Sequence, residues 1–346
     1  MGIGCGLKFF QIPPQTPILN VGSHFVGHFT MKKFLKNNAG IIIGAIYALT
    51  LRLIFNVRGL DEAFSLFSVT FIWLTPIAIG LIPLFYATDE QIKEWRFRIL
   101  SPIWTVVVFF LLCFLTRIED LICLWVILIP YMLGALTCGL IVGAIIQKRR
   151  RNKGTLLTIL VLPFLACPIE QQFSTPTNSY TIITSVTINA TPETIWQNII
   201  RVKQIADNEY QKGLFNYAGI PRPLYAELDK DTLGAKRIGH FEGGLQFVET
   251  VNSWERNKHI GFDIVVVPSS IRKTIFDQHI LRGNHFKFLN ADYTLKPLPN
   301  GQTELILSSS YELNSKINSY ASYCGNQLLT DFQERLLRVI KARCDK

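Results

Sequence analysis

The hydrophobic pattern of this chain changes character near its middle. Up to about residue 170 the apolar residues come in long runs; beyond it they alternate with polar ones or recur every three to four positions. A helix needs about 20 mostly apolar residues to cross roughly 30 Å of hydrocarbon. Five segments are candidates, 39–57, 64–87, 99–116, 121–146 and 155–169, so an N-terminal all-α transmembrane bundle of about five helices is expected. Arg52 lies near one end of the first, where its stem is expected to snorkel to the interface. Pro76 and Pro83 are expected to kink the second. The short link Thr116 to Asp120 makes the third and fourth a tight hairpin. The fifth, at 15 residues, rises only about 22 Å at 1.5 Å per residue. Whether it spans decides on which side the rest of the chain lies.

After a polar linker at 170–179, alternation takes over. Tyr180 to Ile188 reads as a strand. Thr191 caps a helix with Pro192 at its first position, where the missing N–H is harmless, and Ile195, Trp196, Ile199 and Ile200 form its apolar face. Residues 203–233 read as irregular, broken by GIPRP at 219–223. Strands are then expected at 235–241 and 245–255, joined by Glu242-Gly243-Gly244, and at 259–267. Two more, 286–297 and 302–312, meet at the turn Pro299-Asn300-Gly301. A long amphipathic helix over 316–343 ends the chain, its stripe running through Ile317, Ala321, Cys324, Leu328, Phe332, Leu336 and Val339.

This order predicts an α+β domain in which a curved antiparallel sheet wraps on the long C-terminal helix, with an apolar cavity between them. VTINATPETIWQNI, GLQFVETVNSWERNKHIGFDI and YTLKPLPNGQTELILSSSYEL, with the helix ending in RLLRVIKAR, resemble the SRPBCC superfamily. That superfamily includes START lipid-binding domains, the birch-pollen-allergen fold and polyketide cyclases. The resemblance covers 180–346 and none of the apolar half. It implies a helix-grip fold and a hydrophobic small molecule or lipid as ligand, and it brings no shared catalytic motif.

Charge sharpens the division. Residues 1–173 hold 15 Lys/Arg against 8 Asp/Glu, while 174–346 hold 20 against 17. Most of the formal charge of +10 therefore lies between apolar runs, which suits lipid headgroups and not a nucleic-acid groove. With a cytoplasmic N terminus, Lys32, Lys33, Lys36, Lys93, Arg96, Arg98 and the run Lys148 to Lys153 lie inside. Arg58 and Arg117 then lie outside, with Asp61, Glu62, Glu119 and Asp120. Five spans would place the C-terminal domain outside the cytoplasm; if 155–169 does not span, that domain is cytoplasmic. The tail 1–38 has no clear periodicity, and Met31 before Lys32-Lys33 is an alternative start. His24 and His28 read as part of that tail. The seven cysteines show no paired spacing and the histidines none of metal sites, so no disulfide, metal or cofactor is expected.

Strand alternation supplies the candidate site. Leu245, Phe247 and Val251 mark an apolar face that Glu249 shares. A carboxylate held alone in an apolar cavity titrates high, which makes Glu249 a candidate acid, base or ligand anchor, or else the partner of an arginine or lysine. Tyr293 falls in phase with Leu289, Ala291 and Leu295, and Tyr311 with Leu305, Leu307 and Ser309. Phe247, Glu249, Tyr293 and Tyr311 are thus the expected ligand-binding residues, with no catalytic residue assigned. The loop 268–284 is a candidate lid. The leading expectation is a membrane-anchored binding domain with membrane lipids as partners. The alternatives are a cyclase- or hydrolase-type enzyme using acid–base residues in the cavity, and a sensory or assembly membrane protein.

Overall fold

The computed structural model describes residues 38–55, 57, 60, 65–148, 153–299 and 301–345. The tail with His24, His28 and Met31 lies outside the described residues, as do Arg58, Asp61, Glu62, Arg149 to Arg151 and Asn300.

The apolar half is all helical: α1 (Ala39–Ile54), α2 (Thr75–Tyr86, entered through a π-helical turn at Thr70–Leu74), a short α3 (Asp89–Lys93), α4 (Trp95–Leu115), α5 (Leu121–Thr137, carried through a π-helical segment Cys138–Val142 into Gly143–Lys148) and α6 (Lys153–Gln171). Among the described residues two helices, Trp95–Leu115 and Leu121–Ile146, are long and apolar enough to cross a membrane. Ala39–Ile54, Thr70–Tyr86 and Leu157–Gln171 are shorter apolar helices, so the expected five spans become two. Helix α1 stops short of residue 57, and the second apolar run becomes helical only near residue 69. Helix α4 starts at Trp95 rather than 99, because Arg96 and Arg98 are good helix formers whatever their polarity.

The wide turn before α2 closes with the Thr75 N–H on the Thr70 carbonyl, directly ahead of Pro76. A proline has no N–H to give and its ring crowds the preceding turn, which a π-helical step relieves. The helices meet at small residues. A Cβ on Gly44 would stand 2.7 Å from Thr105 Cγ2, and one on Gly139 2.6 Å from the Arg98 carbonyl. Arg98 also lies along Gly143, so the hairpin α4–α5 has this end opposite its 116–120 link. Outward, the hairpin bares Leu111, Leu115, Leu133 and Leu140.

Arg52 does not snorkel. It is 1% exposed and paired with Glu119, a residue expected among exposed loop charges. The hairpin link folds back over the end of α1, and a buried guanidinium requires a counter-charge there. Helix α6 reaches the same end, where the Glu170 carboxylate accepts from the backbone N–H of Val69 (2.7 Å) and Thr70 (2.9 Å).

The second half is one seven-stranded antiparallel sheet: β1 (Thr177–Ile188), β2 (Pro223–Leu228), β3 (Lys236–Phe241), β4 (Gln246–Glu255), β5 (His259–Val266), β6 (Phe286–Pro297) and β7 (Thr303–Asn314), in the order β1-β7-β6-β5-β4-β3-β2. Between β1 and β2 lie α7 (Pro192–Ile200) and the short α8 (Leu214–Tyr217); α9 (Ile275–Ile280) precedes β6, and α10 (Asn318–Cys344) closes the chain. This is a helix-grip arrangement. Trp196, Ile199 and Ile200 of α7 join Leu336, Leu337 and Ile340 of α10 in a core against Ile260, Leu295 and Leu305 of the sheet.

Strand β2 was hidden in sequence, because Pro221 and Pro223 read as breakers; it is an edge strand, where a missing N–H costs no ladder bond. Strand β1 begins at Thr177, inside the expected linker. The turn after β3 has Gly243 at φ 75° and Gly244 at φ 82°, a conformation glycine adopts without strain. The loop 268–284 is no open lid: it folds into a turn at Pro268–Ser270 and α9, where Arg272 grips Asp277 at 2.7 and 2.8 Å. Helix α10 starts after Ile317, and Ile317 itself packs with Phe71 and Ile127 in the core of the helical half.

Candidate functional site

Between the sheet and α10 lies a cavity of about 300 Å³. Its inner walls are Phe247 of β4, Phe262 of β5, Ala291 of β6, Leu307 of β7 and Leu328 and Phe332 of α10. Alternation explains the strand residues, since every second residue of a strand faces the same side, and the four-residue spacing of Leu328 and Phe332 puts both on one face of α10.

The polar part of the wall is a cluster on β3, β4 and β6. Strands β3 and β4 pair with Arg237 opposite Glu249, and the Arg237 Nη1 donates to the Glu249 carboxylate. Both are buried, at 5% and 9% exposure. The guanidinium carbon stands 5.0 Å from the centre of the Phe262 ring. The Tyr293 hydroxyl adjoins Arg237; burial pushes it up to about 12, an effect that the guanidinium opposes. Glu249 therefore does not face the cavity as a lone carboxylate, as an acid–base role would need. Arg237 is the residue that the alternation along single strands missed. A signal was present: with the turn centred on Gly243, counting six residues either way pairs Arg237 with Glu249.

Of the four residues expected to bind ligand, Phe247, Glu249 and Tyr293 line the cavity. Tyr311 is not among the lining residues: it is fully buried under α10, its hydroxyl donating to Asn326 Oδ1 at 2.6 Å and lying 3.0 Å from where a Gly325 Cβ would stand. Leu289 also falls out of phase with Tyr293. A bulge between Phe288 and Asn290 shifts the register, so that Phe286 and Phe288 face inward before it and Ala291 and Tyr293 after it.

Three carboxylates line the cavity among the described residues, Glu119, Glu249 and Asp277. Each is paired with an arginine: Arg52, Arg237 and Arg272. Three histidines join them. His240 stacks on Tyr225 with ring centres 4.1 Å apart, and His285 on Phe67 at 4.3 Å. His279 on α9 is held down to about 4, mainly by burial and then by the positive charge of Arg52, so it is neutral near pH 7. Unfolded, it would titrate near 6.5, so the unfolded chain binds the proton first and stability falls as pH drops from about 6.5 toward 4. Replacing His279→Gln is expected to flatten the acid side of the melting-temperature profile between pH 7 and 4.5. An unchanged profile would show that this histidine does not set acid sensitivity.

No family model matches the chain, and no curated protein does. Solved structures are similar over the C-terminal half. They include a START superfamily protein from Mycobacterium smegmatis, with 13% identity over 48% of this chain and 97% of that one at a TM-score of 0.32. A protein from Thermus thermophilus is 16% identical over 48% and 97% at 0.31, and one from Nitrosospira multiformis 15% identical over 48% and 96% at 0.29. The assignment of the fold rests on the sheet order and the long helix described above.

Part of the cavity wall comes from the helical half, which strand patterning did not anticipate. Phe67, Phe71 and Ile72 in the stretch that leads into α2, and Cys123, Trp125 and Ile127 in the first turns of α5, line the same space.

Proposed function

We propose that this protein binds an uncharged, apolar small molecule, with a lipid as the leading class, between its sheet and its long helix, and that the helical half anchors it in a membrane. The observation that carries the reading is the charge balance of the cavity. Every lining carboxylate has its own arginine, so the wall carries no net charge from these groups, and aromatic and aliphatic side chains make most of the rest. A charged ligand would lose its hydration without gaining an unmatched counter-charge. An uncharged one gains about 25 cal/mol for each Å² of apolar surface removed from water. The volume, about 300 Å³, lies at the lower end for small-molecule sites. The bared leucines of α4 and α5 suit contact with hydrocarbon.

The test is solvent extraction and mass spectrometry of the full-length protein purified from membranes, beside an Ala291→Trp variant whose indole fills the cavity. The wild type is expected to carry an uncharged apolar molecule near one per chain, and the variant to lose at least nine-tenths of it while keeping its circular dichroism. An outer-face change, Ile183→Trp, is expected to retain the molecule. Equal extracts from wild type and Ala291→Trp would overturn the reading.

A further inference from the structure

We infer that the ligand site is completed by the helical half, and that an uncharged lipid passes between the bilayer and the cavity through the seam where the two halves meet. This rests on the cavity reading above and adds the source of the ligand and the residues that admit it.

The helical residues that reach the cavity all belong to one end of the bundle: 66–72 lead into α2, and 119–127 include the link between α4 and α5 and the first turns of α5. The basic residues Arg98 and Lys148 belong to the other end, since Arg98 lies against Gly139 and Gly143 late in the α5 run. The cavity therefore abuts the ends of the two membrane-length helices, at the depth where chains and headgroups of a bilayer meet. Tryptophan and tyrosine favour that level, and Trp73, Trp125 and Tyr320 lie at this seam, with the Trp73 and Tyr320 rings 5.8 Å apart.

The seam, unlike the sheet, is crossed by side-chain contacts and not by a backbone ladder. The sheet side is closed by continuous backbone ladders from β1 to β2, and parting two strands would forfeit a row of buried hydrogen bonds. The halves instead meet through side chains: Phe67 on His285 at 4.3 Å, Trp125 edge-on to Phe215 at 4.9 Å, and the Asp120 carboxylate accepting from the Phe276 N–H at 2.8 Å. Such contacts separate by rotamer changes and small rigid shifts. A lipid leaving there meets the apolar flank of the α4–α5 hairpin, where Leu111, Leu115 and Leu133 are bared, so its chains need not cross water.

The experiment locks the seam. Full-length protein carrying Phe67→Cys and His285→Cys is placed in phosphatidylcholine vesicles and bridged with a short bis-maleimide, with the link verified by intact mass. The probe is a medium-chain fatty alcohol, uncharged and of a size with the cavity, with a diazirine in its chain, mixed into the vesicles, and photolabelled peptides are mapped. Without the bridge, label is expected on β4 and β6 around Phe247 and Phe288, and on α5 around Trp125. A bridge made before the probe is added should reduce the β4 and β6 label at least tenfold, whereas one made after loading should retain it. A second bridge, Trp125→Cys with Phe215→Cys, checks that the result is not peculiar to one pair, and variants carrying one added cysteine of each pair control for reaction of the reagent with it and with the native cysteines. Equal β4 and β6 labelling with and without the prior bridge would overturn the seam route while leaving the cavity reading standing. Label on β4 and β6 with none around Trp125 or Phe67 would overturn the shared site. Absence of β4 and β6 label in the unbridged protein would instead sink the cavity reading itself.

Discussion

Replacing Arg237 with alanine is expected to lower the stability of the folded protein by about 3–5 kcal/mol, the usual consequence of leaving one member of a buried ion pair alone. The Glu249 carboxylate would remain 9% exposed with its counter-charge gone, and Phe262 would lose the guanidinium stacked 5.0 Å from its ring centre. The double change Arg237→Met with Glu249→Leu removes both charges and is expected to restore most of the loss, since apolar replacements of buried pairs are often neutral or stabilising. Denaturant unfolding of the two variants and the wild type decides the matter. Were Arg237→Ala to unfold with the wild type, the pair would not be holding β3 to β4. On the function proposed above, the single variant should also lose its bound apolar molecule, because its cavity then holds an unmatched carboxylate.

The second large effect is expected at the other end of the cavity. Glu119→Ala leaves the Arg52 guanidinium, 1% exposed, without its carboxylate inside the helical half. A loss of about 3–5 kcal/mol is expected by the same reasoning. Among the described residues the Arg52 Nη1 and Nη2 and the Glu119 Oε2 have no hydrogen-bond partner. The pair is therefore incompletely satisfied, and breaking it differs from replacing it. Arg52→Met with Glu119→Leu is expected to match or exceed wild-type stability. The check is the fraction of monodisperse protein surviving a heating series in detergent. A Glu119→Ala protein as heat-resistant as the wild type would mean that Arg52 finds another partner.

The two pairs also separate what strand and helix patterning reveals from what it hides. Period-two alternation put Phe247 and Glu249 on one face of β4, and period-three-to-four recurrence found α10. These are properties of consecutive residues and survive without any knowledge of neighbours. Tyr311 shows the limit: it faces inward as its alternation implies, yet α10 covers it, with the Asn326 carboxamide and Gly325 against its hydroxyl. Leu289 shows another, because a single bulged residue reverses the phase of everything after it.

By itself, then, the sequence determined the division into an apolar helical half and an alternating half, most of the strands, the long last helix and three of the cavity-lining residues. Those follow from local periodicity and turn chemistry, which act over a few residues. It took the folded structure to show that Arg52 is buried on Glu119, 67 positions away, that among the described residues two helices rather than five have membrane-spanning length, and that Phe67 and Trp125 help to wall the cavity. The first and last depend on which distant side chains meet, within the helical half for Arg52 and between the halves for Phe67 and Trp125, and the second on where each helix ends. Burial turns such meetings into large energies, because a charge or an aromatic ring removed from water must find its partner inside the protein.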